Sequence, residues 1–139
     1  MSLDDLADRA EISDVIARYA MATDLGSIDE YTQCLAPDVE VVIGATIHRG
    51  HASVVESLLA ARASGLMGPG SGALHHVAAS VIDVVDGVTA TSVTPWIFTT
   101  PGDPPGVRSG WYRDRLSRTA LGWRIARREI VAANPSPAS

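Results

Sequence analysis

The sequence predicts one α+β domain in which helices from the N-terminal half cover a curved sheet built by the C-terminal half. Three features carry that expectation. Up to Ala63 the apolar side chains recur mostly at helical spacing. Gly65 to Gly72 then breaks the chain with Gly65, Gly68, Pro69, Gly70 and Gly72. Beyond it, long strand-like runs are separated by turn dipeptides as far as Ala132. A length of 139 residues suits one core. Residues 1–133 therefore read as the domain, and 134–139, rich in proline and serine, as a flexible tail.

Ser2 to Thr23 reads as an amphipathic helix, with Leu6, Ile12, Val15, Ile16, Tyr19, Ala20 and Thr23 forming its apolar stripe. Asp4 and Asp5 suit its positive end and Gly26 its stop. Ser27 and Glu30 form a capping box for a short second helix, ended by Pro37. Val39 to Ile43 is a strand, and Ile47 to Arg49 a connection. The third helix runs from His51 to Ala63 on Val54, Val55, Leu58 and Leu59. Leu74 to Val85 reads as one continuous strand, turned at Asp86-Gly87 into Val88 to Thr99. Val107 to Leu116 and Trp123 to Ala132 complete the sheet. Both faces of Leu74–Val85 are mostly apolar, which predicts helices on one side and a second copy of the chain on part of the other.

The composition narrows the function. A net charge of -5 argues against a nucleic-acid partner, which would require phosphate neutralisation by Lys and Arg. Cys34 is the sole cysteine, so neither an intrachain disulfide nor a cysteine-based zinc site can form. The acidic start lacks the marks of a signal peptide, and no apolar run approaches membrane length. A cytoplasmic protein with no membrane partner is the expectation. A sheet curled around helices leaves a concavity suited to a small molecule.

Asp24 is the most informative residue. It falls in the last turn of the first helix, where the macrodipole disfavours a carboxylate by a few tenths to ~1 kcal/mol. Ser27 already caps the next helix, so capping does not explain the acid. A solvated acid in the turn and a carboxylate serving as general base, or orienting one, are both open. Tyr19 lies on the apolar stripe, as core or as a phenol aimed at a ligand. His75 and His76, adjacent on a strand, must face opposite ways. His76 shares parity with Ala78, Ser80 and Ile82, and His75 with Val77, Ala79 and Val81, so alternation leaves the choice open. Neighbouring histidines on opposite faces also make a poor metal site. Trp96, Phe98 and Trp111 are candidate pocket walls, and Arg127 a candidate at the pocket end of the last strand. His48 and His51 read as surface residues.

Together, Ile12…Arg18-Tyr19-Ala20…Asp24, Asp29-Glu30-Tyr31, Ala36-Pro37-Asp38-Val39, His76-Val77-Ala78-Ala79-Ser80 and Gly122-Trp123-Arg124-Ile125 resemble the SnoaL-like branch of the nuclear transport factor 2-like superfamily. The resemblance spans the chain to about Ala132. It implies a cone-shaped α+β barrel, a curved mixed sheet wrapped around three helices, commonly dimeric, with a deep pocket. It is similar to scytalone dehydratase, bile-acid dehydratase and lindane dehydrochlorinase type members, which work without cofactor or metal. By that likeness Asp24 takes the aspartate slot of an Asp–His dyad, and His76 the histidine slot, Ser80 standing where an asparagine is usual. Tyr19 takes the tyrosine slot, and Arg127 falls near a last-strand arginine.

The departures also inform. Val42 and Ser109 or Gly110 stand where steroid isomerases carry acids, and no histidine follows His76. Tyr19 replaces the dehydrochlorinase lysine, and Arg113 and Asp114 cannot share a face for epoxide hydrolysis. The resemblance therefore implies a cofactor-independent lyase of dehydratase type acting on a small apolar or aromatic molecule, as a homodimer. A polyketide cyclase or isomerase, or a non-catalytic binding module, is the alternative.

Overall fold

The computed structural model describes residues 1–133; the segment 134–139, expected as a tail, lies outside the described residues. Ten elements follow one another. Helix α1 (Leu3–Leu25) starts on Ser2, whose hydroxyl accepts from the Asp5 N–H. The short α2 (Ile28–Thr32) carries the expected capping box between Ser27 and Glu30. Strand β1 (Leu35–Ile43) turns into β2 (Thr46–Arg49), and α3 (Gly50–Ala63) follows. The rest is β3 (Leu74–Val77), β4 (Val81–Val84), β5 (Thr89–Thr100), β6 (Gly106–Thr119) and β7 (Gly122–Ala132).

These strands make a mixed sheet ordered β2-β1-β7-β6-β5-β3, with β4 beside β3 on β5. Only β1 and β7 run parallel; the other neighbours are antiparallel. No pairing joins β2 to β3 among the described residues, so the cone is open and the barrel does not close. Helix α1 packs on β3, β4 and β7, and α3 on β1 and β2. Between them lie Ile12, Ile16, Val39, Leu116, Trp123 and Ile125, all essentially without exposure. Burying each such side chain contributes ~1.5–3 kcal/mol. Two polar ties fix α1 across the sheet. Asp8 accepts from the Trp123 indole at 3.0 Å and pairs with Arg118, while Glu11 accepts from the Trp123 backbone N–H.

Three features differ from the sequence expectation. The connection at Ile47 is part of an edge strand, β2, too short and polar to stand out from a turn. Pro37 lies inside β1 instead of ending α2, which stops at Thr32. Leu74 to Val85 is not one strand. Between the pairs Val77↔Trp96 and Val81↔Val93 it spends one more residue than β5. This bulge at Ala78–Ser80 reverses side-chain parity. A second bulge lies at Ala126, between the pairs Leu116↔Ile125 and Arg115↔Arg127. Both bulges redirect residues that matter for the site.

Candidate active site

A cavity of about 660 Å³ opens between the sheet and the helices. Tyr19 and Thr23 of α1, Tyr31 of α2, and Val54 and Leu58 of α3 line one side. His75, Trp96, Phe98 and Tyr112 of the sheet line the other. A wall of this kind, apolar with a few polar tips, suits a small molecule.

Asp24 is 2 % exposed and faces inward, not into the solvent beside the turn. Its partner is His75. The His75 Nδ1–H donates to Asp24 Oδ1 at 2.8 Å, and the His75 backbone N–H donates to Oδ2 at 2.5 Å. The carboxylate fixes the proton on Nδ1, so Nε2 carries the lone pair. Nε2 has no hydrogen-bond partner among the described residues, and the ring stacks on Phe98 at 4.4 Å. His76 does not take the place opposite Asp24 that the resemblance implies: it is exposed on the outer face, its Nε2 3.2 Å from Thr99 Oγ1. Counting back from buried Ile82 at strict alternation selects His76; the bulge at Ala78–Ser80 moves the inward position to His75.

An acid at the negative end of α1 needs compensation, and Arg62 supplies it. Its Nη2 donates to the carbonyls of Ala22, Thr23 and Gly26 at 2.9–3.0 Å, placing a cation on the helix end that carries Asp24.

Tyr19 lies on the cavity wall as expected, its hydroxyl 3.2 Å from that of Tyr31. Burial, reinforced by Tyr19, pushes the Tyr31 phenol above its ordinary value. Burial does the same to Tyr112, against the opposing pull of Arg128. Trp96 and Phe98 are pocket walls, both buried on the inner face of β5. Trp111 is not. It registers with Pro95 and Val131 on the outer face, because its neighbour Tyr112 takes the inward position.

Arg127 is likewise outside, half-exposed and 3.8 Å from Glu40. The bulge at Ala126 turns the next residue inward instead. Arg128 is fully buried and grips Asp114 with Nε and Nη2 at 2.8 and 2.7 Å. Its guanidinium lies between the rings of Tyr19 (4.2 Å) and Tyr112 (3.8 Å). Burial opposes its charge, but Asp114 outweighs that and keeps it protonated. Sequence reasoning missed this pair. The available signal was Asp114 alternating with Tyr112 and Leu116, an acid at an inward position that requires a buried cation.

His48, expected at the surface, is half-buried on the cavity rim near Ser53. His51 is also half-buried, its Nε2 3.0 Å from the Ala36 carbonyl oxygen. Gly110, at an inward position of β6, keeps Trp96 in place. A Cβ there would collide with the Val131 carbonyl and lie 2.7 Å from Trp96 Cζ2.

Comparison with known proteins places this architecture. A family model described as a SnoaL-like domain matches residues 4–129. No curated protein matches the chain. Among solved structures, an ntf2-like protein with a cystatin-like fold from Novosphingobium aromaticivorans is 27% identical, with TM-score 0.78 over 96% of this chain and 86% of that one. A candidate scytalone dehydratase from the same organism is 20% identical, TM-score 0.79, over 96% and 89% of the two chains. The hexachlorocyclohexane dehydrochlorinase LinA-type3 from Novosphingobium barchaimii is 14% identical, TM-score 0.81, over 97% and 92%. The last two likenesses are of fold alone.

Proposed function

The chain belongs to the SnoaL-like domain family, and from that premise we propose that it is a cofactor-independent lyase of dehydratase type acting on a small apolar or aromatic molecule. The observation that carries the reading is the Asp24–His75 pair at the wall of an aromatic-lined cavity. His75 Nε2 takes a proton from the carbon next to a substrate carbonyl, and the electron pair moves toward that carbonyl oxygen. Asp24 holds the ring in its working tautomer and stabilises the imidazolium. The Tyr19 hydroxyl donates to the carbonyl oxygen as negative charge builds there. Collapse of the enolate forms the double bond and expels the β-hydroxyl, which leaves as water with the proton returned from His75. The dehydratase and dehydrochlorinase among the structural neighbours agree with such elimination chemistry.

A panel of hydroxylated polyketides, steroids and small phenolics, screened by thermal shift and then by absorbance of the new conjugated double bond, tests the proposal. His75→Ala and Asp24→Asn should lower turnover by about 10²–10⁴ while ligand-induced melting shifts persist. Turnover that survives His75→Ala undiminished overturns the reading, and equal loss of binding and turnover favours a binding module.

We further propose a homodimer through the outer sheet face. Val81, Val93 and Ile97 are 70%, 42% and 47% exposed there, beside Pro95 and Trp111.

A further inference from the structure

Among the described residues, the cavity has one cation at its rim, Arg108, that no acid neutralises. All eleven basic side chains are arginines. Arg9, Arg18, Arg49, Arg118, Arg127 and Arg128 pair with carboxylates. Arg62 and Arg124 donate to backbone carbonyls. Arg108, Arg113 and Arg115 make no ion pair among the described residues. Arg113 and Arg115 register with Glu129 and Arg127 on the outer face, where a solvated arginine needs no explanation. Arg108 is exposed as well, at the cavity mouth, but has the opposite parity. It shares the inner face of β6 with Gly110, Tyr112 and Asp114, and it lines the cavity. Glu129 is the one acid on that lining, and its place between inward-facing Arg128 and Ile130 directs its carboxylate to the outer face.

Strand register places Arg108 relative to the reacting group. His75 pairs with Phe98, and Phe98 pairs with Arg108. The three residues form one row across the inner face, two strand spacings or about 10 Å long at the backbone. Phe98, stacked on His75 at 4.4 Å, is the platform between the two ends.

From this row we infer that the pocket takes an anionic ligand: a flat, apolar molecule whose carboxylate is held by Arg108 while its body lies on Phe98 toward His75. A guanidinium suits a carboxylate because two N–H groups meet two oxygens side by side. The inference rests on the proposed site but not on its chemistry, since it concerns recognition.

The test is calorimetric binding of 2-naphthoate and its neutral isostere 2-naphthamide to the unmodified protein; neither probe carries a group to expel, so turnover plays no part. The carboxylate should bind about tenfold tighter or more than the amide. Arg108→Gln should remove that preference by weakening naphthoate alone, and Arg108→Lys should restore part of it. Equal affinity for the two probes, failure of both to bind, or a preference that survives Arg108→Gln overturns the inference. If Arg108→Gln weakens both probes equally, the side chain acts by shape and the inference also fails. Failure of the lyase reading leaves the preference intact, so the two are separable.

Discussion

Asp24 holds both ends of His75: one carboxylate oxygen accepts from the ring and the other from the backbone of the same residue. Side-chain orientation and strand position are thereby fixed by a single acid at the end of α1. Asp24→Asn keeps the shape but presents an amide where the ring needs an acceptor. Turnover should fall by about 10²–10⁴, the usual share of general acid–base catalysis. Chemical denaturation should also show a loss of about 1–3 kcal/mol, because a buried hydrogen-bonding group is left mismatched.

His76, one residue on, should be dispensable. It is exposed, and its side chain's one hydrogen bond among the described residues is to Thr99. His76→Ala should leave stability within about 0.5 kcal/mol of the parent and turnover unchanged, with His75→Ala assayed in parallel as the contrast.

The Arg128–Asp114 pair makes a third case. Removing one partner leaves an uncompensated charge in a site with no exposure. Asp114→Leu or Arg128→Met alone should cost about 3–5 kcal/mol, whereas the double variant should recover a large part of that loss. Urea denaturation of the four proteins closes the cycle.

Alkaline pH should weaken the fold through Tyr31 and Tyr112. Burial raises both phenols above the ordinary value of 10.0. The unfolded chain therefore ionises first. Their contribution is intact below pH 10 and declines above it, because the unfolded state loses protons that the folded state keeps. Unfolding free energy measured between pH 8 and 11 should fall more gently in Tyr31→Phe/Tyr112→Phe than in the parent.

If the outer sheet face joins two copies, the chain sediments as a dimer at micromolar concentration. Ile97→Arg, which puts a charge into the exposed apolar patch, should then give a monomer with unchanged circular dichroism. A monomeric mass for the parent protein refutes the homodimer.

Much of this architecture was legible because its signals are local. The α1 stripe, the capping box at Ser27–Glu30 and the turn at Asp86-Gly87 each lie within a few residues of one another. Tyr19 was legible on the stripe of a helix whose period is uninterrupted, whereas spacing left open whether Asp24 faces solvent or the cavity, and only the family resemblance favoured the cavity. The opposite cavity wall was not legible. Which of His75 and His76, or of Arg127 and Arg128, faces inward depends on single-residue bulges set by the neighbouring strand. Parity counted along one strand cannot detect an extra residue absorbed between two. Trp111 failed differently: its strand kept regular alternation, and ring size alone did not reveal that Tyr112 held the inner position.

Gly110 gives the cavity one hard wall and one soft wall. On the sheet side, the absent methyl locks the Trp96 ring against backbone, and no larger residue fits without dislodging the strand beside it. On the helix side, Ser57, Leu58, Ala61 and the pliable Met67 line the cavity. Substitutions there can widen or narrow the space without disturbing the ladder. Changes of ligand preference should therefore accumulate along α3 and the loop after it, while the aromatic floor keeps its dimensions.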